Sequence, residues 1–190
     1  MSGPDFLAGQ LLIAMPSIGD ERFSHAVIFV CAHDETHAMG LVINCPMEAL
    51  EIPDLLRQFD IGCTAAVTKG PVLMGGPVEP NRGFVLHTHD NQVTDGISLL
   101  IDGGLAISTT RDALEALSGK VPGPRRALLA LGYAGWGSGQ LEREIRENAW
   151  LICRPSEDLI FDRDHRSKWA RAMARLGIEP GFLTAEVGHA

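Results

Sequence analysis

The stretch Ala127-Leu128-Leu129-Ala130-Leu131-Gly132-Tyr133-Ala134-Gly135-Trp136-Gly137-Ser138-Gly139-Gln140-Leu141-Glu142-Arg143-Glu144-Ile145-Arg146-Glu147-Asn148 decides how this chain is read. Its first five residues are apolar, as in a buried strand. The glycines at 132, 135, 137 and 139 predict a loop, and a helix follows from about Gln140 to Asn148. A strand, a Gly-rich loop and a helix, in that order, form the repeating unit of an α/β sheet.

Working outward, Leu11–Ala14, His25–Ala32, Met39–Ile43, Phe84–Leu86 and Trp150–Cys153 read as further strands. Their near-continuous apolar runs predict burial on both faces. Ser98–Ile101 and Leu105–Ser108 flank Asp102-Gly103-Gly104, a hairpin signal. Val72–Met74 and Gly83–Leu86 flank Gly75-Gly76-Pro77 and Pro80-Asn81-Arg82, which predicts a second antiparallel pair with a long turn. Helices are expected over Met47–Phe59, with Pro53 setting the true start; from Thr110 or Asp112 to Leu117; and from His165 to Leu176. Hairpins mixed with strand–helix units predict an α/β protein. It is a single compact domain, residues 1–190, with a large mixed β-sheet, hairpins and flanking helices.

Composition bounds the function. The chain has 190 residues, 45% hydrophobic and 21% charged, with a net charge of −8. An acidic surface repels phosphate backbones and anionic lipid, so nucleic acid and membranes are poor partners. No apolar run reaches the ~18 residues of a membrane span. Met1-Ser2-Gly3-Pro4-Asp5 has neither the basic nor the apolar region of a secretory signal. Cys31, Cys45, Cys63 and Cys153 have no C-x-x-C spacing, and Cys31 and Cys153 lie in apolar runs. Four free thiols in a reducing cytoplasm is the expectation.

Four motifs resemble one known family. They are Gly9-Gln10-Leu11-Leu12-Ile13-Ala14-Met15-Pro16 with Asp20 and Phe23; Ala38-Met39-Gly40-Leu41-Val42-Ile43-Asn44; and Gly75-Gly76-Pro77-Val78 with Leu86-His87. The fourth is Gly132 to Glu142 with Glu144-Ile145, Asn148 and Trp150. Together they resemble the AlgH-like (YqgE) family, in order and over nearly the whole chain. The resemblance implies a compact protein with a large mixed sheet. It implies no settled reaction, and a regulatory role only by way of the family's name.

Several constellations compete for chemistry. His33-x-x-x-His37 and His87-x-His89, with Asp34, Glu35 and Asp90 nearby, have spacings that zinc accepts. Such short spacings without a longer motif also arise at ordinary strand ends, so no metal or cofactor is assigned. His37 stands where the resembled family has Gly, and His89 is outside its pattern. The glycines before Gln140 resemble an anion cradle. Position 140 is not the third glycine of G-x-G-x-x-G, however, no P-loop Lys follows, and Glu142 and Glu144 would repel phosphate. A tight turn packing Tyr133 and Trp136 is the simpler reading. Ser138 is expected as a helix N-cap rather than a nucleophile, and Cys45 has no neighbour that would activate it. Arg163, Arg166, Lys168, Arg171 and Arg175 form the main basic cluster. Lys168, Arg171 and Arg175 are expected on one solvated helix face.

These readings favour a non-enzymatic cytoplasmic binding or regulatory protein acting through a small ligand or a protein partner, with no catalytic residue assigned. Asn44, His87, Tyr133, Trp136, Gly137, Gly139 and Gln140 are the candidate ligand-binding residues, because strand ends form the crevices of open sheets. The alternatives are a hydrolase using His33 or His87 with a carboxylate or metal, and a DNA-binding transcriptional regulator.

Overall fold

Leu11, Leu12, Ile13 and Ala14 are all fully buried, with Leu11 and Ile13 in one apolar cluster and Leu12 and Ala14 in another. A strand whose alternate residues enter two cores must be covered on both faces, and the rest of the chain is arranged to do that. The computed structural model describes residues 6–90, 98–179 and 181. The expectation drawn from Met1–Asp5 lies outside the described residues.

The order is β1 (Leu11–Ala14), a 3-10 turn (Glu21–Phe23), β2 (Val27–His33), β3 (His37–Val42), β4 (Pro46–Glu51), α1 (Ile52–Gln58), β5 (Pro71–Met74), β6 (Val78–Thr88), β7 (Ser98–Ile101), β8 (Leu105–Ser108) and α2 (Arg111–Leu117). It continues with β9 (Ala127–Gly137), α3 (Gln140–Arg146), β10 (Trp150–Cys153), α4 (Glu157–Ile160) and α5 (Lys168–Arg175). The strands form one ten-stranded sheet in the order β10-β1-β2-β3-β9-β6-β8-β7, with β5 paired to β9 and β4 to β5. Every pairing is antiparallel except β5 with β9, so the sheet is mixed, as the interleaved hairpins predicted. The β7–β8 hairpin is present, Thr110 caps α2, and α1 carries Pro53 in its first turn.

One core cluster packs Leu159, Ile160, Trp169, Ala172 and Met173 against the sheet. A second joins Trp136, Leu141 and Trp150 to Leu12, Ile28 and Val30, and a third holds α1 and α2 against β5, β6 and β9. Helices therefore flank the sheet.

The first helix starts at Ile52, where Pro53 indicated, and Met47–Glu51 lies in β4, which pairs with β5. Three expectations are corrected. The strands β5 and β6 do not pair: at Ala130, β9 lies between them, opposed by Leu73 of β5 and Phe84 of β6. The glycines after Leu131 are not a loop either, since β9 continues to Gly137 and pairs with β3 from Gly40↔Ala134 to His37↔Gly137. Finally, α5 starts at Lys168 rather than His165, because Asp164 Oδ1 accepts the Ser167 N–H in a preceding turn.

The crossing of two motifs explains the displaced pair. Gly75 N–H donates to Leu131 O at 2.8 Å, which keeps the chain on β9 after β5 ends. Gly76 (φ +155°) then passes so close to β9 that a Cβ there would overlap the Tyr133 backbone, and a Cβ on Gly132 (φ +72°) would overlap Gly76 O. These glycines permit backbone to touch backbone.

Candidate functional site

Strand β9 carries Trp136 to the turn at Ser138–Gly139, where Gly139 takes a left-handed conformation (φ +67°) and α3 begins. Gln140 Oε1 accepts the Gly137 N–H at 3.0 Å, tying strand end to helix start. One turn on, Gln140 Nε2 donates to Glu144 Oε1 at 2.8 Å, the neighbour relation of positions i and i+4. The other oxygen, Oε2, accepts both indoles: Trp136 Nε1 at 2.9 Å and Trp150 Nε1 at 2.8 Å. The two indoles meet edge to face at 6.0 Å, and Phe23 packs on Trp150 at 5.7 Å.

This cluster forms the wall of a cavity of about 540 Å³. Phe23, Pro77, Val78, Trp136 and Trp150 supply its apolar surface. Its polar groups are Asp20, Arg22, Gln140, Glu144 and Glu147. Carboxylates outnumber the one guanidinium, and Arg22 is paired with Asp20 at 2.6 Å. That side-chain bond to Arg22 holds the Asp20 carboxyl below its ordinary value. Residues from the first, third and fourth motifs thus line one cavity.

The seven candidate residues do not share this site. Trp136 and Gln140 line it. Gly137 ends β9 and Gly139 belongs to the adjoining turn, and a Cβ at either would meet nothing closer than 4.0 Å, so neither is needed for close backbone approach. Tyr133 lines a smaller apolar cavity of about 230 Å³ with Met39, Phe84 and Leu99. Asn44 lines another, of about 280 Å³, where Oδ1 accepts the Val27 N–H and Nδ2 donates to His25 O, both at 2.8 Å. His87 is buried: Nδ1 donates to Thr88 O at 3.0 Å, leaving Nε2 to accept the Ser108 hydroxyl at 2.9 Å. Burial pushes the His87 pKa down.

The other histidines disperse. His33 Nδ1 accepts the Leu7 N–H at 3.0 Å, so Nε2 carries the proton and donates to Glu142 at 2.9 Å. The ring therefore joins the N-terminal segment to α3. His37 is exposed beside Asp34, whose carboxyl is lowered to about 2, first by the Thr36 hydroxyl. Strand β6 ends at Thr88, so His89 is not held on the same strand face as His87. Among the described residues no group of three or more His, Cys, Asp or Glu is placed to hold a metal.

Two further expectations fail. Ser138 is not the N-cap of α3; Gly139 is, and Ser138 Oγ donates to Glu35 O at 2.7 Å. The basic stripe on α5 is not a solvated face, because Lys168 is fully buried and Arg171 pairs with Asp162. No helix among the described residues is long and apolar enough to cross a membrane.

Glu147 and Arg22 were not singled out by the sequence. Glu144 and Trp150 stood in the fourth motif, and the i, i+4 spacing of Gln140 and Glu144 is the signal from which their pairing could have been read.

Comparison with known proteins agrees with the motifs. A family model described as AlgH-like matches residues 11–181. A UPF0301 protein of Caulobacter vibrioides is 50% identical over 186 residues, covering 98% of this chain and 95% of that protein. One from Rhodopseudomonas palustris is 49% identical over 193 residues, covering 98% and 88%. The solution structure of the AlgH protein from Pseudomonas aeruginosa superposes with a TM-score of 0.77 at 40% identity, covering 100% of this chain and 99% of that one. A protein from Corynebacterium diphtheriae shares the fold, with a TM-score of 0.71 at 21% identity over 92% and 90% of the two chains. The chain belongs to the AlgH-like family.

Proposed function

We propose that this is a cytoplasmic, non-enzymatic binding protein with a regulatory role, whose small ligand occupies the cavity beside Trp136. The observation that carries the reading is the convergence of three motifs on that cavity, with Glu144 held by two indoles and an amide. Fixed aromatic walls and preset polar groups are the ordinary composition of a ligand pocket. The excess of carboxylates selects a ligand bearing an ammonium or guanidinium group, which the aromatic rings also favour. The four free thiols support a reducing compartment.

The test uses tryptophan fluorescence with agmatine as the cationic probe and propylurea as its neutral control. A saturable change with agmatine alone, lost in Glu147→Lys, supports the reading. No saturable response to agmatine by 10-millimolar order concentrations, or equal responses to both compounds, overturns it.

A second reading rests on the Ser108–His87 hydrogen bond, the pairing of a hydrolase nucleophile with its base. Both residues are buried, so substrate access would require local opening. Labelling of Ser108 by a fluorophosphonate, abolished in His87→Ala, would favour it over simple binding.

A further inference from the structure

A different cavity, of about 280 Å³, lies where the start of β2, the end of β3 and the first turn of α5 meet. Arg22, His25, Asn44, Cys45, His165 and Arg166 line it, and none of its lining residues is acidic. In a chain of net charge −8, four cationic or protonatable side chains around one acid-free cavity run against the overall charge.

The walls are built rather than incidental. The Asn44 amide holds the His25 carbonyl, His25 adopts φ +56°, and its ring packs edge-on against Trp169 at 4.4 Å. Trp169 is itself anchored through Nε1 to Ala14 O at 2.8 Å. His165 Nδ1 lies 3.3 Å from Ile43 O, and as that carbonyl only accepts, Nδ1 carries the proton and Nε2 is left as the open ring nitrogen. The same carbonyl accepts Lys168 Nζ at 2.9 Å, and Nζ also donates to Ile160 O at 2.7 Å. A fully buried ammonium therefore stands behind the His165 wall.

The nearby carboxylates are engaged elsewhere. Asp162 pairs with Arg171, Asp164 accepts from the Ser167 backbone, and Asp20 takes Arg22 Nε and Nη2, leaving Nη1 outside that pair. Arg166 is exposed.

We propose that this cavity binds a small phosphate-class anion, either free phosphate or the phosphate of a small monoester. Planar guanidinium donors and imidazoles set around one cavity suit a tetrahedral oxyanion with several acceptor oxygens. The two cavities share Arg22, but this proposal does not rest on the ligand proposed for the Trp136 cavity.

Cys45 on the wall provides the reporter, since it is exposed whereas Cys31 and Cys153 are buried. Alkylation at Cys45 is followed by peptide mass spectrometry with anionic iodoacetate and neutral iodoacetamide at constant ionic strength. The iodoacetate-to-iodoacetamide rate ratio is expected to exceed that of glutathione several-fold and to fall below it in Arg166→Glu. Inorganic phosphate and glycerol phosphate are each expected to slow alkylation saturably, while chloride does not. Tighter protection by glycerol phosphate assigns a monoester; equal or tighter protection by inorganic phosphate assigns the free anion. Histidine NMR reads the site separately: phosphate raises the His165 pKa, which burial and then Lys168 hold below its ordinary value, against the opposing pull of Asp162 and Asp164. A rate ratio at or below that of glutathione, or protection that chloride reproduces, overturns the proposal. So does an unmoved His165 pKa.

Discussion

Trp136 Nε1 donates to Glu144 Oε2 at 2.9 Å across the turn between β9 and α3, so the strand and the helix share one carboxylate. Trp150 uses the same oxygen, and both indoles are at most 5% exposed. Glu144→Ala strands two buried donors and is expected to destabilise by about 2–4 kcal/mol in urea unfolding. Glu144→Gln keeps an acceptor for the indoles but sets its NH₂ against that of Gln140, and is expected to cost about 1 kcal/mol. Trp136→Ala is expected to cost about 3–5 kcal/mol, as for a core ring. Equal stability of all three variants and the wild type would show that the carboxylate does not hold the turn.

The glycines separate into two kinds under mutation. Gly76→Ala drives a methyl into the Tyr133 backbone at a φ that alanine avoids. Loss of more than about 4 kcal/mol, or failure to fold, is expected. Gly137→Ala meets nothing closer than Gln140 Oε1 at 4.0 Å. It is expected to stay within about 1 kcal/mol of wild type. Thermal unfolding of the pair checks both statements, and a reversed order would mean that the motif crossing at Gly76 is not a close contact.

Lys168 makes stability depend on alkaline pH. Desolvation lowers its pKa from 10.5 to about 8 in the folded protein. Between those values the unfolded chain binds more protons, so stability rises with pH across that window. The rise from this group is at most about 3 kcal/mol. Cys31 works the other way, because burial raises its thiol pKa and the unfolded chain loses that proton first. The difference between wild type and Lys168→Met isolates the lysine. Wild type is expected to gain on the variant from pH 8 to pH 10.5, and a flat difference would place the ammonium in contact with solvent.

Thiol reactivity should follow burial. Cys45 is expected to react fast with a bulky disulfide reagent, the half-buried Cys63 more slowly, and Cys31 and Cys153 only at the rate of unfolding. Stopped-flow labelling in increasing urea measures this. Native-state labelling of Cys31 as fast as Cys45 would contradict the packing of β2 between β1 and β3.

Local signals in the chain were reliable where one segment decided its own structure. Apolar runs placed β1, β2 and β10, Asp102-Gly103-Gly104 placed the β7–β8 hairpin, and Thr110 capped α2. They misled where glycine served a partner rather than a turn. Gly132, Gly135 and Gly137 read as a loop, yet Gly135 and Gly137 pair with β3, and Gly132 lets Gly76 cross β9. Lys168 read as solvated because helical spacing marks a face without saying what covers it. The carbonyls of Ile43 and Ile160 cover it here.

The sequence by itself determined the mixed α/β class, the two-sided burial of the first strands, the lack of C-x-x-C spacing among its cysteines, and the family. The first three rest on residue type and short spacing, and the family on four motifs in order along the chain, all of which are readable without tertiary contacts. Only the tertiary structure decided that Trp136, Gln140, Glu144 and Trp150 meet Phe23 and Pro77 at one cavity, while Asn44 and Tyr133 line others and His87 is sealed in the sheet. The reason is physical: β9 is paired on one flank by β5 and then β3, and on the other by β6, and that order depends on long-range hydrogen bonds between segments up to about a hundred residues apart.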